Sequence, residues 1–194
     1  GEYPGNFVVN GKDGSKGVVD KFTFNYLSFF YTPFRCLSCI DLTNELADLS
    51  LGDGWRGLNR ESGYGQSVVI VRNKKLAGCL NNGAENGKFH LREICTEEAI
   101  MMHSNVLDNK KIGAFVRMNI LKRFGYYVPE YFLTAPVYTR KRYLFEFINL
   151  IILLIGQTRI ARKLINTIPL LILKKAMNYI RGKWREKTKK KFIT

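Results

Sequence analysis

The chain has 194 residues, a hydrophobic fraction of 46% and a formal net charge of +15 at pH 7. This length and composition suffice for one main domain with its own core, which excludes a small scaffold that depends on disulfide staples. Four cysteines, two of them in a CxxC pair, disfavour a secreted disulfide framework. Because no signal-peptide pattern begins the sequence, we expect a cytoplasmic protein, peripheral at the inner face of the membrane if its basic end binds lipid.

The positive charge is concentrated towards the C-terminal end. Residues 1–139 hold 16 Lys/Arg and 14 Asp/Glu, whereas residues 140–194 hold 15 Lys/Arg and 2 Asp/Glu. We therefore predict two regions: a globular domain with balanced charge over residues 1–139, and a basic amphipathic helical extension over residues 140–194. The field of the extension would attract phosphate groups.

The first predicted element is a β-hairpin. Phe7–Val9 and Gly17–Val19 flank Asn10-Gly11 and Asp13-Gly14, which are residues typical of tight hairpin turns. An aromatic-rich run over residues 22–34 then leads to the CxxC pair. This run either packs at an ordinary core edge or keeps water away from a bound cluster.

Cys36 and Cys39 form the CxxC pair, and Asp41 follows them. Two thiolates on one tight turn suit a single zinc ion or an iron–sulfur cluster. The same spacing occurs in thioredoxin-like dithiols, which are disfavoured here because no βαβ pattern surrounds the pair. Cys79 and Cys95 are isolated in the sequence, and we interpret both as small core residues.

The next elements are two predicted strands separated by glycine-rich loops. Leu46–Leu51 alternates as a strand does, and Gly52-Asp53-Gly54 then forms a turn. Residues of this type are explained by an ordinary strand-end turn, and their glycines would also let a cofactor approach the backbone closely. After a Gly-rich loop over residues 56–66, Ser67–Val71 is apolar enough for a strand buried on both faces. Arg72 follows that strand. Its guanidinium suits a flavin pyrophosphate, while a solvated arginine at a strand end is the ordinary explanation.

The second half of the chain is predicted to be mainly helical. Lys75–Gly83 suits a short helix or hairpin arm, Phe89–Ile94 alternates as a strand, and Thr96 suits a helix start. Val106–Phe124 is predicted as a helix with a solvated basic side that includes Arg117, and Gly125 suits its end. The predicted fold class is therefore α+β, a mixed β-sheet with flanking helices, plus a basic helical C-terminal appendage.

The appendage contains two apolar runs. Leu144–Ile155 has only 12 residues, which is too short to cross a membrane, and Leu164–Leu173 contains Pro169. Either the two runs form a helical hairpin packed on the domain or on a partner, or they lie in the interface of an anionic membrane. Nucleic-acid binding is disfavoured because the basic residues alternate with aliphatic runs rather than with exposed aromatics.

Three sequence blocks occur in a specific order: Cys36-x-x-Cys39-x-Asp41, then residues 45–55, then Gly65–Arg72. This order resembles the C-terminal domain of the coenzyme F420 hydrogenase/dehydrogenase beta-subunit family, and the resemblance extends over residues 1–124. It implies a flavin- and iron–sulfur-dependent oxidoreductase with FAD, a 4Fe–4S cluster and coenzyme F420 as a candidate substrate. The expected partner is a redox protein or a small-molecule hydride carrier.

The resemblance also suggests roles for individual residues. Cys36 and Cys39 would be cluster ligands, and the cofactor-pocket candidates are Gly52, Asp53, Ser67 and Arg72, whereas no catalytic residue is identified. Because a 4Fe–4S cluster usually takes four thiolates, we expect the missing ligands upstream of Gly1. The alternative is a non-enzymatic module in which the four cysteines hold structural zinc and the basic tail docks on a membrane complex.

Overall fold

A computed structural model describes residues 6–20, 31–54 and 65–188 of the chain. The first described element is the hairpin of β1 (Phe7–Asn10) and β2 (Lys16–Val19), in which Phe7 lies opposite Val19. Its turn places Gly14 at a φ of 80°, a conformation that glycine adopts without strain. The hydroxyl and the amide of Ser15 donate to the Asp13 carboxylate, and these hydrogen bonds lower the pKa of Asp13. The predicted hairpin is confirmed.

A second hairpin joins β3 (Leu49–Asp53) and β4 (Ser67–Val71), with Leu49 opposite Val71 and Asp53 opposite Ser67. Gly52 and Asp53 therefore belong to a strand, and the prediction of a turn at these two residues was wrong. The strand at Ser67–Val71 is confirmed, but it is not buried on both faces, since Ser67 is exposed and residues 68–71 are half-buried. Its partner β3 is hydrogen-bonded along one edge and covers neither face. The loop predicted over residues 56–66 and the aromatic run over residues 22–34 lie mostly outside the described residues.

The α+β class is confirmed, but the strands of the described residues form two separate antiparallel hairpins instead of one mixed sheet. The strand predicted over Phe89–Ile94 is absent, since these residues have no regular structure. The ring of Phe89 lies instead against the helix that precedes it. A Cβ added to Gly83 would come within 2.6 Å of that ring. Packing on a helix has therefore replaced strand pairing at this position.

The helices follow one another through the rest of the chain. Their bounds are α1 (Phe34–Leu37), α2 (Lys74–Glu85), α3 (Thr96–Asp108), a π-helical turn (Asn109–Gly113), α4 (Ala114–Arg123), α5 (Arg140–Gly156), α6 (Arg159–Thr167) and α7 (Leu170–Thr188). Side chains of Asn73, Thr139 and Thr158 accept hydrogen bonds from backbone amides and thereby cap α2, α5 and α6.

The helix predicted over Val106–Phe124 is composite. The end of α3, the π turn and α4 together cover these residues, and Gly125 ends α4 at a φ of 78°, as predicted. The apolar run that contains Pro169 is also divided, because α6 ends at Thr167 and α7 begins at Leu170. Proline has no amide hydrogen to donate and tends to end a helix.

The core lies between α4 and α5, with a contribution from α1. Its two clusters of buried aliphatic residues are Leu37, Val116, Ile120, Leu121, Leu150 and Leu153, and Ile40, Ala114 and Met118. The first helix of the basic extension therefore shares a core with the region before residue 140. Among the described helices, none alone has the length and hydropathy of a membrane span. The pair α5 and α6 reaches both only when taken together, and it bends by 83°.

Candidate functional site

The CxxC turn points its cysteines away from the core. Cys36 on α1 is exposed and Cys39, just after it, is half-buried, whereas Leu37 and Ser38 between them are buried. The thiol of Cys39 donates a weak hydrogen bond to the carbonyl of Asp41 at 3.5 Å. The two thiols are thus held near the surface on a turn whose inner residues belong to the core.

The backbone of this turn is held by side chains from other parts of the chain. The carbonyl of Leu37 accepts from Arg117 Nε at 2.8 Å, and the carbonyl of Ser38 accepts from the Tyr131 hydroxyl at 3.2 Å. Arg117 lies on α4, which is 80 residues away in sequence. The position of the two cysteines therefore depends on the helical part of the molecule.

Arg117 belongs to a buried network of four charges. Its Nη1 lies 2.7 Å from Oε2 of Glu146, whose Oε1 lies 2.7 Å from Nη2 of Arg142, and Nη1 of Arg142 lies 2.6 Å from Oδ2 of Asp108. The side chains of Arg117, Glu146 and Asp108 are no more than 2% exposed. Arg117 also donates to the backbone and side-chain oxygens of Asn109. The prediction of a solvated Arg117 was wrong, because these partners compensate for its burial.

The network requires a glycine in the π turn. A Cβ on Gly113 would lie 2.7 Å from Oε1 of Glu146, 2.8 Å from Nη1 of Arg117 and 3.1 Å from Nη2 of Arg142. Sequence reasoning missed this cluster. The available signal was Glu146, an acid inside an apolar helix four residues after Arg142, where the two side chains face each other.

Arg72 holds the loop that follows the cysteines. Its Nη1 donates to the carbonyls of Asn44 and Ala47 and to the hydroxyl of Ser50, and its Nη2 donates to the carbonyl and the hydroxyl of Thr43, all within 3.3 Å. The backbone amide of Arg72 also donates to the carbonyl of Asp48 at 2.8 Å. The guanidinium of Arg72, a group that often binds phosphate, therefore donates its hydrogen bonds to oxygens of the chain itself.

The four predicted cofactor-pocket residues fall at two ends of one hairpin. Gly52, Asp53 and Ser67 are exposed at one end, where Asp53 and Ser67 lie opposite each other. Arg72 lies at the other end, next to Val71. At the rise of an antiparallel strand, Val71 is about 14 Å from Ser67 along β4. The hairpin thus brings three of the four candidates together and leaves Arg72 beside the loop after the cysteines. Their roles in cofactor binding stay predictions.

The CxxC pair offers two thiols, and their role as metal ligands stays a prediction. Throughout residues 6–20, 31–54 and 65–188, no group of three or more His, Cys, Asp or Glu side chains is placed to hold a metal ion. The four-cysteine zinc site of the alternative is therefore not assembled. Cys79 and Cys95 are exposed, so the prediction that they are core residues was wrong. Cys79 lies on an outer side of α2, and Cys95 lies in irregular chain just before α3.

The family model for the C terminus of the coenzyme F420 hydrogenase/dehydrogenase beta subunit matches residues 2–97. Comparison with curated proteins and with solved structures found no match. The matched range contains the CxxC turn, both hairpins, the loop held by Arg72 and α2, and it ends at the start of α3. Residues 2–97 therefore belong to the C-terminal domain family of coenzyme F420 hydrogenase/dehydrogenase beta subunits, a family of oxidoreductase subunits.

Proposed function

We propose that the chain is the C-terminal portion of a flavin- and iron–sulfur-dependent oxidoreductase that moves electrons between a hydride carrier and a 4Fe–4S cluster. One observation carries the proposal. Inside the range that matches an oxidoreductase family, two thiols face outward from a turn whose backbone is buried and hydrogen-bonded. Such an anchored turn holds ligands in a fixed geometry, as an electron-transfer centre requires.

In this proposal Cys36 and Cys39 supply two thiolates, and the remaining ligands come from outside the described residues. A bound cluster would pass electrons singly, whereas a flavin exchanges hydride. The chain's own contribution is to position the thiols. Leu37 and Ile40 pack into the core on either side of Ser38, and Arg117 fixes the carbonyl of Leu37. The packing of Leu37 and Ile40 buries the base of the turn away from water.

The proposed flavin contact is the exposed end of the second hairpin. Asp53 and Ser67 lie opposite each other there and offer a carboxylate and a hydroxyl. A Cβ on Gly52 would meet nothing within 4 Å, so the backbone beside them is open to a close approach. FAD is the proposed cofactor, and coenzyme F420 is the candidate hydride carrier. Arg72 would act here by shaping the loop, because its terminal nitrogens already donate within the chain.

The test is to purify the full-length protein without oxygen, together with any protein that copurifies, and to measure iron, flavin and visible absorbance. Cys36→Ser is expected to lose most of the iron and the broad absorbance of an iron–sulfur cluster, and to retain flavin. Cys79→Ser is the matched control, because it removes another exposed thiol outside the CxxC turn. The control is expected to keep the iron content of the wild type.

Two results would contradict the proposal. A wild-type protein that contains neither iron nor flavin would exclude it. A colourless protein with one zinc per chain that unfolds on chelation would assign the cysteines to structural zinc, since structural zinc contributes folding energy directly.

A further inference from the structure

The outer side of α5 carries a stripe of large aliphatic residues. Leu144, Ile148, Ile151, Ile152 and Ile155 repeat at the spacing of one helix face, and each is at least 40% exposed. The opposite side of the same helix carries Glu146 and the core residues Leu150 and Leu153. The helix therefore has one side that packs on α4 and another apolar side that no described part of the chain covers.

Exposed aliphatic residues continue beyond the bend after α5. Within α6, α7 and the residues that join them, those at least 40% exposed are Ile160, Leu164, Ile168, Leu170, Leu171 and Ile172. Exposed basic residues, Arg159, Lys163 and Lys175, lie among them. An apolar surface of this extent exceeds the scattered apolar residues of an ordinary soluble surface and marks a site of interaction.

The charge of the segment identifies the kind of partner. Residues 140–194 carry 15 Lys/Arg and 2 Asp/Glu, a net charge of +13. Two copies of such a face would repel each other, whereas an anionic lipid surface would attract it. Aliphatic residues flanked by Lys and Arg suit the boundary between acyl chains and headgroups, because the long basic side chains reach the phosphates while their stems lie along the apolar surface.

We propose that the outer faces of α5, α6 and the start of α7 dock in the interface of an anionic membrane. The pair α5 and α6 reaches the hydropathy of a membrane segment but bends by 83°. This geometry suits helices that lie in the interface. The proposal rests on the helical extension alone and is independent of the redox chemistry proposed for the CxxC turn.

The test is cosedimentation of the full chain with vesicles of phosphatidylcholine alone or with about one third phosphatidylserine. Binding is expected only to the anionic vesicles and is expected to weaken as salt is raised. Ile152→Glu/Ile155→Glu should reduce binding at least about tenfold, because the double change puts charge into the apolar stripe. Phe132→Glu/Val137→Glu is the matched control. It alters net charge equally at two apolar residues that are at least 98% exposed outside the helices.

Charge reversal gives an independent result. Lys163→Glu/Lys175→Glu should weaken binding to anionic vesicles by about 25-fold or more, since each basic residue near the surface strengthens binding by about fivefold. Failure of the wild type to bind anionic vesicles would overturn the proposal, as would equal binding of the stripe variant and its control. A dimer in sedimentation velocity that only Ile152→Glu/Ile155→Glu dissociates, without vesicle binding, would assign the face to a second copy of the chain.

Discussion

The family match and the hydrophobic core lie in different parts of the molecule. Residues 2–97 carry the family pattern, yet in their described strands only Ser50 is buried, and the strands contribute no residue to the two aliphatic core clusters. The helices after residue 113 carry no family match and contain most of the buried aliphatic side chains. The family pattern thus lies in one region of the chain and most of the buried aliphatic core in another.

Several contacts between these regions involve the CxxC turn and the loop that follows it. Leu37 and Ile40 enter the clusters built on α4 and α5, Arg117 of α4 holds the carbonyl of Leu37, and Lys111 in the π turn pairs with Glu45 in the loop after the cysteines. Changes in the helical region are therefore expected to alter the position of the cysteines. Three predictions compare the helical core with the region that matches the family.

The largest expected effect comes from Glu146→Gln. Glu146 pairs with both Arg117 and Arg142 in the core, so the change leaves buried positive charge without its partner. Removing one member of a buried pair typically costs about 3–5 kcal/mol of unfolding free energy. Chemical denaturation would measure the loss. Glu130→Gln, at an exposed residue, is the control and should change stability by less than about 0.5 kcal/mol. Equal stability of the two variants would show that the network contributes little.

Truncation of an aliphatic side chain should lower the free energy of unfolding strongly in the helices and only slightly in the first hairpin. Ile120 is fully buried, and Ile120→Ala should cost about 2–5 kcal/mol through lost burial and a residual cavity. Val18 is 59% exposed in β2, and Val18→Ala should change stability by less than about 0.5 kcal/mol. Both changes are measured by thermal or denaturant unfolding. A loss at Val18 as large as that at Ile120 would mean that another surface covers the hairpin.

Arg72→Met is expected to lower global stability less than Glu146→Gln or Ile120→Ala. Its hydrogen bonds hold one loop at the surface, so the global cost should be about 1 kcal/mol. Amide exchange in residues 43–48 should become about tenfold faster, because their opening is local. Hydrogen exchange would measure this change. Arg92→Met removes an exposed arginine that pairs with Glu98 and is the control. Unchanged exchange in the loop would exclude the positioning role of Arg72.

The sequence predicted the elements whose causes are local. Asn10-Gly11 and Asp13-Gly14 indicated the first hairpin, and Gly125 indicated the end of α4, since these residues act on their own backbone. The CxxC turn and its family were also predictable, because the order of three sequence blocks carries that information. The α+β class followed from these elements.

The parts that sequence reasoning missed depend on distant partners. Arg117 looked like a solvated residue because its carboxylate partner lies 29 residues further along the chain. The hydrogen bonds by which Arg72 holds the loop were missed because their acceptors are mainly backbone carbonyls, which any residue type carries. The strand expected over Phe89–Ile94 did not form because alternation alone does not supply a neighbouring strand. Periodicity describes a segment, whereas burial and pairing describe its surroundings.

The π turn also fixes the number of residues that the composite helix can hold between Asp108 and Arg117. Asp108 and Arg117 are nine residues apart, and an uninterrupted α-helix, at about 100° per residue, would point them to opposite sides. A π turn accommodates an additional residue, which brings both side chains towards α5, where Arg142 and Glu146 receive them. Deleting any one residue of the turn would rotate one half of the composite helix relative to the other. This helix should therefore tolerate many substitutions more readily than a single insertion or deletion.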